Sequence, residues 1–470
     1  MSYLPEKTSR RLLGLVLILL LCTVSASAKT NFILMIVDGG GEGAYRIGSQ
    51  YRTGEDRGLP FMKHEAGWLE FGCTTYSLSG LVRDANMKDG KEEVTVTYSE
   101  DGSYSPDTHW QTFEKHMANP TDSAASATAL NSGKKTKNGR INFDQNDQPL
   151  ETTADFAVAR GFAAGAITNV MPSHATGAAV ACHNLNRSKG QDLWREMAKQ
   201  DVLSVIIGAC HPWYDRNGER QETPKFNDYG PSEHAWGEIM KQDLYFGWKF
   251  IEKREDFQKI ASGEVAPPKK LMGLPQVANC FQSSRSSKKT ERNENVPTLA
   301  ECCLAGMNVL NQNEKGFYLM VESGSVDWIH NQPLRCCEEM GEYYDAVEAI
   351  CDWVEKNSSW EETTLILTAD HETFAIFGPE ADQPATLFQT PINKGKGVVP
   401  DCKYFAKGHT NAPVPFFVKG QGAKRIESRV RCTDETFGKM WEFDGRMIDD
   451  TDVAPVAKEL FEAGKDVKKD

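Results

Sequence analysis

Five apolar runs, each closed by polar residues, constrain this chain more than any other feature. They are Asn31-FILMIV-Asp38, Gly161-FAAGAIT-Asn169, Gly316-FYLMVE-Ser323, Thr364-LILTA-Asp370 and Pro413-VPFFV-Lys419. Continuous rather than alternating hydrophobicity over five to seven residues suits strands buried on both faces, as in a parallel sheet covered by helices. Helical patterns lie between them, at Thr152 to Arg160, Gly341 to Lys356 and Thr451 to Ala463. The alternation predicts an α/β fold: a doubly wound, mostly parallel central sheet with helices on both faces. Functional residues of such sheets collect beyond the carboxyl ends of the strands. Asp38, Glu322 and Asp370 stand at those ends.

Residues 1–28 read as a secretory signal, with Lys7, Arg10 and Arg11 before the apolar run Leu12 to Leu21 and a small-residue site at Ala26-Ser27-Ala28. The run is too short to span a bilayer, which takes about 20 apolar residues. A secreted or periplasmic location follows. An exported chain with eleven cysteines after residue 28 is expected to carry disulfides, with at least one thiol left over and no readable connectivity. Length allows one enlarged α/β domain or two to three domains; 84–116 and 211–295 read as insertions that could cap a pocket, and 372–407 is loop-rich. The formal net charge of −13 excludes a general nucleic-acid binder. An acidic chain that handles an anion must concentrate positive charge locally, through bound cations or placed arginines.

Three short patterns carry chemistry. Asp370 and His371 end a strand side by side, and carboxylate plus imidazole is a natural zinc pair, although a capping Asp beside a surface His would look the same. Asp38 is followed by Gly39-Gly40-Gly41, which permits a close approach of backbone or metal, or simply a tight turn; no GK[ST] follows to make a P-loop. Thr121-Asp122-Ser123 opens an alanine-rich helix, with Thr121 or Asp122 as cap. A serine in that first turn sits where a phosphate is also stabilised.

TDSAASATA, VESGSVDW, LTADHE and GHTNAPVPFF, in that order along the chain, resemble the motifs of the alkaline phosphatase family, and the resemblance extends from Asp38 to GRMIDDTDVAPV. It implies two zinc ions and one magnesium at the strand ends, and hydrolysis of small-molecule phosphate monoesters through a phosphoserine. Carried over by motif, Ser123 matches the nucleophile and Arg187 the phosphate-holding arginine. Asp38, Asp370 and His371 match the ligands of the zinc that activates the serine. Asp327, a nearby histidine and His409 match those of the second zinc. The family places that histidine four residues after the aspartate, whereas His330 stands at the third position and Asn331 at the fourth; His330 is favoured, with Asn331 as the alternative. The magnesium would share Asp38 and add Glu322 and Thr176. His174 and Trp328 fall at positions that tune the pocket through bound water or phosphate, and His183 reads as a buttress. Runners-up are a phosphodiesterase or sulfatase of the same superfamily, and an inactive metal-binding or phosphate-binding protein. Many members dimerise, but no dimer surface is legible here.

Overall fold

A computed structural model describes residues 29–78, 104–241 and 245–464, and the backbone of 82–88 and 91–97. The signal-sequence reading falls outside these residues, as does part of the 84–116 segment.

The strand Thr30–Val37 lies near the middle of an eleven-stranded sheet. It pairs in parallel with Gly316–Ser323 on one side and Thr363–Ala369 on the other. Its side chains alternate between two cores. Phe32, Leu34 and Ile36 enter one and Ile33, Met35 and Val37 the other, all at 0% exposure. That two-sided burial is what the unbroken apolar run encodes, and each such side chain contributes about 1.5–3 kcal/mol of transfer free energy.

The first face is covered by Ser123–Ser132, Thr153–Val158, Gly190–Lys199 and Val453–Ala463. The second is covered by Glu42–Thr53, Leu299–Leu310 and the 25-residue helix Pro333–Asn357. Local chemistry fixes their starts. Thr152 with Asp155, and Thr298 with Glu301, form reciprocal capping boxes that satisfy otherwise orphaned helix N–H groups.

Beyond Gly316–Ser323 the sheet continues through Ala163–Thr168, Val205–Ile207, Leu271–Gly273 and Lys249–Ile251, all parallel. The last two come from within residues 211–295, so that segment builds the sheet edge as well as a rim. On the other side Val414–Gly420 departs from the parallel expectation: it runs antiparallel to both Thr363–Ala369 and Leu69–Thr74. After Ala369 the chain makes its excursion without a covering crossover helix, so the next strand must run back the way the last one came. The excursion is closed at its base by a short antiparallel pair, Glu372–Thr373 with His409–Thr410.

The disulfide expectation is corrected. All eleven cysteines from Cys73 to Cys432 are unbridged, and eight of them are buried. Cys302 and Cys303 sit on one helix and Cys336 and Cys337 on another, packed as small apolar side chains in the second core. A core of this size folds without covalent staples. Among the described residues no helix is long and apolar enough to cross a membrane.

Candidate metal centre

The register of the three central strands brings their carboxyl ends level, because Val37 lies beside Ser323 and Ala369. Asp38, Glu322 and Asp370 therefore converge, each 0% exposed. The glycines after Asp38 serve the close approach. Gly39 has φ +78°, and a Cβ there would lie 2.8 Å from Thr373 Oγ1 and 2.9 Å from Asp327 Cα. Its N–H instead donates to Asp370 Oδ1 at 3.1 Å. The Asp327 N–H donates to the Asp38 carbonyl at 2.9 Å, fixing the 3₁₀ turn Val326–Trp328 against the first strand.

His371 is the hub. Its Nε2 lies 3.4 Å from Asp38 Oδ1, 3.2 Å from Asp370 Oδ2 and 3.3 Å from Ser123 Oγ. Its Nδ1 lies 3.1 Å from Thr373 Oγ1, and the Thr373 hydroxyl donates onward to Asp327 Oδ1 at 2.7 Å. With that hydroxyl proton committed to Asp327, Nδ1–H of His371 is the donor, and Nε2 keeps a lone pair aimed at the carboxylates. His409 Nε2 stands 3.3 Å from Asp327 Oδ1, its ring stacked 3.6 Å from that of His371. Its Nδ1 is 2.8 Å from the Thr121 carbonyl oxygen. Thr410 beside it donates to Glu372 Oε2, which pins the base of the excursion.

Three groups of donor atoms are close enough to share a cation: Asp38, Asp370 and His371; Asp327, His371 and His409; and Asp38, His174 and Glu322. Both oxygens of Asp38 and of Glu322, Asp370 Oδ2 and Thr176 Oγ1 are buried without a hydrogen-bond partner. Buried carboxylates left so are costly unless something positive compensates them. Their acidities reflect it. Burial, then repulsion from Asp370, Asp327 and Glu322, pushes Asp38 well above the carboxylate range. Burial chiefly raises Asp370 to about 7 and Glu322 to about 7. Burial, with His409 next, holds His371 far below the imidazole range. Burial alone would lower His409, but Asp327 outweighs it and lifts it to about 9. Asp327 in turn is pulled below its usual value by His409 and His371, against its own burial. Mixed carboxylate and imidazole donors suit zinc or another borderline dication at all three groups, with Asp327, His371 and His409 the richest in nitrogen.

Ser123 is the first residue of its helix, 1% exposed. Asp122 caps that helix through Ala125 N–H at 2.9 Å, so of the two sequence candidates for the cap it is Asp122. Its other oxygen accepts from Gly139 N–H at 2.8 Å and from Arg187 Nη1 at 3.0 Å. Arg187 Nη2 reaches 3.3 Å from His174 Nε2. The guanidinium is thus held alongside the serine with donors to spare.

Two expectations change. His330, read as a partner of Asp327 and His409, stands outside all three groups; its ring lies 5.1 Å from Phe374 and 5.9 Å from Tyr404. The 3₁₀ turn ends at Trp328, and Asn331 adopts a left-handed φ of 53°, so the chain turns the imidazole away. Asn331 itself is exposed. His174 joins Asp38 and Glu322 directly, and the Trp328 ring meets it edge-on at 5.7 Å. His183 lies apart, its Nε2 2.7 Å from the Leu150 carbonyl oxygen. Sequence reading missed Thr373, although its place two residues after His371 puts it on the same side of an extended segment. It also missed Asp122 as the anchor of Arg187, for which the sequence carries no signal.

Fold and site together define an α/β protein that gathers a cage for several cations, a buried serine and an arginine at the ends of a doubly wound sheet. The chain belongs to the alkaline phosphatase family, whose model matches residues 85–412. Its relatives include alkaline phosphatase 3 of Bacillus subtilis (strain 168), 27% identical over 59% of this chain and 54% of that protein. The chain thus spans about half the length of this relative. Alkaline phosphatase of Escherichia coli (strain K12) is 25% identical over 91% of this chain and 88% of that protein. Among solved structures, a cold-active alkaline phosphatase from Shewanella sp. matches with a TM-score of 0.58 at 22% identity, over 92% of this chain and all of that one. The Thermus thermophilus alkaline phosphatase matches at 0.61 and 17% identity, over 92% and 91%. Those two structures share the fold.

Proposed function

We propose that this chain is a divalent-cation-dependent phosphate monoester hydrolase acting through a phosphoserine at Ser123. The observation that carries the proposal is Ser123 Oγ at a helix mouth, 3.3 Å from His371 and beside Arg187, facing buried carboxylates that lack partners. Asp38, Asp370 and His371 would hold one zinc, Asp327 and His409 a second, and Asp38, Glu322 and Thr176, with His174, a magnesium. Bound there, the dications supply positive charge at the attacking and departing oxygens and lower the pKa of hydroxyl and water.

The chain's own groups do the rest. The Arg187 fork takes two phosphate oxygens and orients the phosphorus toward Ser123. Ser123 Oγ, at the positive end of its helix, forms the new O–P bond while the ester O–P bond breaks and the alcohol leaves. Water then attacks from the opposite side, the serine O–P bond breaks, and inorganic phosphate departs. Arg187 and the third group favour a monoester, with its extra negative charge, over a diester.

The test is hydrolysis of an aryl phosphate, a bis-aryl phosphate and an aryl sulfate, beside metal analysis and an acid-quench search for phosphate on Ser123. Fastest turnover of the aryl phosphate, with label on Ser123, is expected; faster diester or sulfate cleavage would overturn the assignment. Export through residues 1–28, an organisation of residues 29–470 as one catalytic domain, and a dimeric state belong to the same proposal.

A further inference from the structure

Beyond the carboxyl end of Val205–Ile207, the segment after Cys210 encloses a cleft of about 400 Å³. This is within the range of small-molecule sites. Two cations line it, Arg216 and Lys225, with the aromatic rings of Tyr214 and Phe226 and the amide of Asn227. The acids and imidazole around them are already committed. Asp215 Oδ1 accepts from Asn217 N–H at 2.8 Å and Glu219 N–H at 3.0 Å, and Oδ2 lies 3.4 Å from Asn217 Nδ2. His211 Nε2 sits 2.8 Å from Glu252 Oε2. Neither Arg216 nor Lys225 has a carboxylate within ion-pair distance among the described residues. In a chain of net charge −13, two unpaired cations against the single lining carboxylate of Asp215 leave a local excess of positive charge.

The cleft is joined to the metal centre by one short strut. Asn227 Oδ1 accepts from Tyr229 N–H at 2.8 Å, and the Tyr229 ring stands 5.3 Å from that of His174, which adjoins Arg187. Gly190, three residues after Arg187, packs so closely on Asp228 and Tyr229 that a Cβ would lie 2.4 Å from the Asp228 carbonyl oxygen. The wall that ends at Asn227 is therefore seated rigidly on the arginine-bearing segment.

We propose that this cleft is a subsite for a second anionic group, phosphate or carboxylate, carried on the leaving-group side of the substrate. The proposal deepens the functional reading above and rests on it. Arg216 and Lys225 bind the distal anion while Arg187 holds the phosphate to be cleaved, so esters bearing a second phosphate are preferred.

The test compares fructose 1,6-bisphosphate with 4-nitrophenyl phosphate on the metal-loaded enzyme, its Arg216→Ala/Lys225→Ala double variant and the charge-reversed Arg216→Glu/Lys225→Glu. The neutral variant should raise KM for the bisphosphate about tenfold and the reversed one further, with kcat and KM for the aryl ester unchanged. Equal shifts for both substrates, or none for the bisphosphate, would overturn the subsite. So would non-competitive action of free inorganic phosphate on aryl-ester hydrolysis that the double variant abolishes, since that assigns the cleft to a separate anion. Should the unmodified protein hydrolyse neither ester, the functional reading fails instead; calorimetric titration of the bisphosphate into the same proteins still reads the cleft.

Discussion

Stripping divalent cations should destabilise the folded chain, and increasingly so as pH rises. Asp370 and Glu322 are each raised to about 7, from ordinary values of 3.8 and 4.5, mainly by burial. Both folded-state values exceed those of the unfolded chain. Their contribution in the cation-free protein is therefore complete below about pH 4 and is lost as pH rises through about 7. At about 1.4 kcal/mol per unit, each carboxyl costs on the order of 4 kcal/mol once ionised. The pair costs less than twice that, since the Glu322 shift already includes the Asp370 charge. With roughly 0.9 kcal/mol per kelvin of unfolding entropy for a chain this long, Tm should fall by about 4–9 °C. Bound dications favour the ionised carboxylates and remove the loss, adding their own binding free energy. Scanning calorimetry from pH 5 to 9, with chelator or with zinc and magnesium, reads the gap directly. A gap that stays constant or narrows with rising pH would refute the reasoning.

Ser123→Ala should remove turnover by three or more orders of magnitude while leaving metal content by elemental analysis unchanged, because the proposal makes the hydroxyl the nucleophile and not a necessary ligand. Arg187→Lys should raise KM for an aryl phosphate about tenfold, a point charge replacing a two-pronged donor, and steady-state kinetics will report it. Thr373→Val keeps shape but cuts the hydroxyl that links His371 to Asp327; losing a hydrogen bond that orients a metal-binding imidazole costs about 10–100-fold in metal affinity or activity, and competition with a chelator would measure the former. Unreduced, denatured protein should titrate as free thiol at every cysteine from Cys73 to Cys432, and in the native state Cys432, the exposed one, should react first.

The five central strands were legible because burial on both faces leaves a continuous apolar run, and each lies within two residues of where the sequence puts it. Direction was not legible. Hydrophobicity has no sign along the chain, so Val414–Gly420 reads the same parallel or antiparallel. Three-residue strands such as Leu271–Gly273 carry too little pattern to be seen. At the site, Asp38, Ser123, Glu322, Asp370 and His371 could be found because strand ends and helix caps place them. His330 could not be placed, since its direction depends on a 3₁₀ turn and a left-handed residue beyond it. His174 converges with Asp38 and Glu322 through packing of separate segments, which spacing does not encode. The cysteines show the limit of composition: their number suits a stapled protein, but most of them pack as apolar side chains in two large cores that need no staples.

The ladder joining Glu372–Thr373 to His409–Thr410 acts as a drawstring at the neck of everything between them. Phe374 and Ile376, just past the neck, are packed in the second core, so it is the outer part of the loop that can lengthen or shorten without slackening the grip on His371 and His409. A lineage carrying this fold is free to rewrite that outer bight for new company while its chemistry stays in tune.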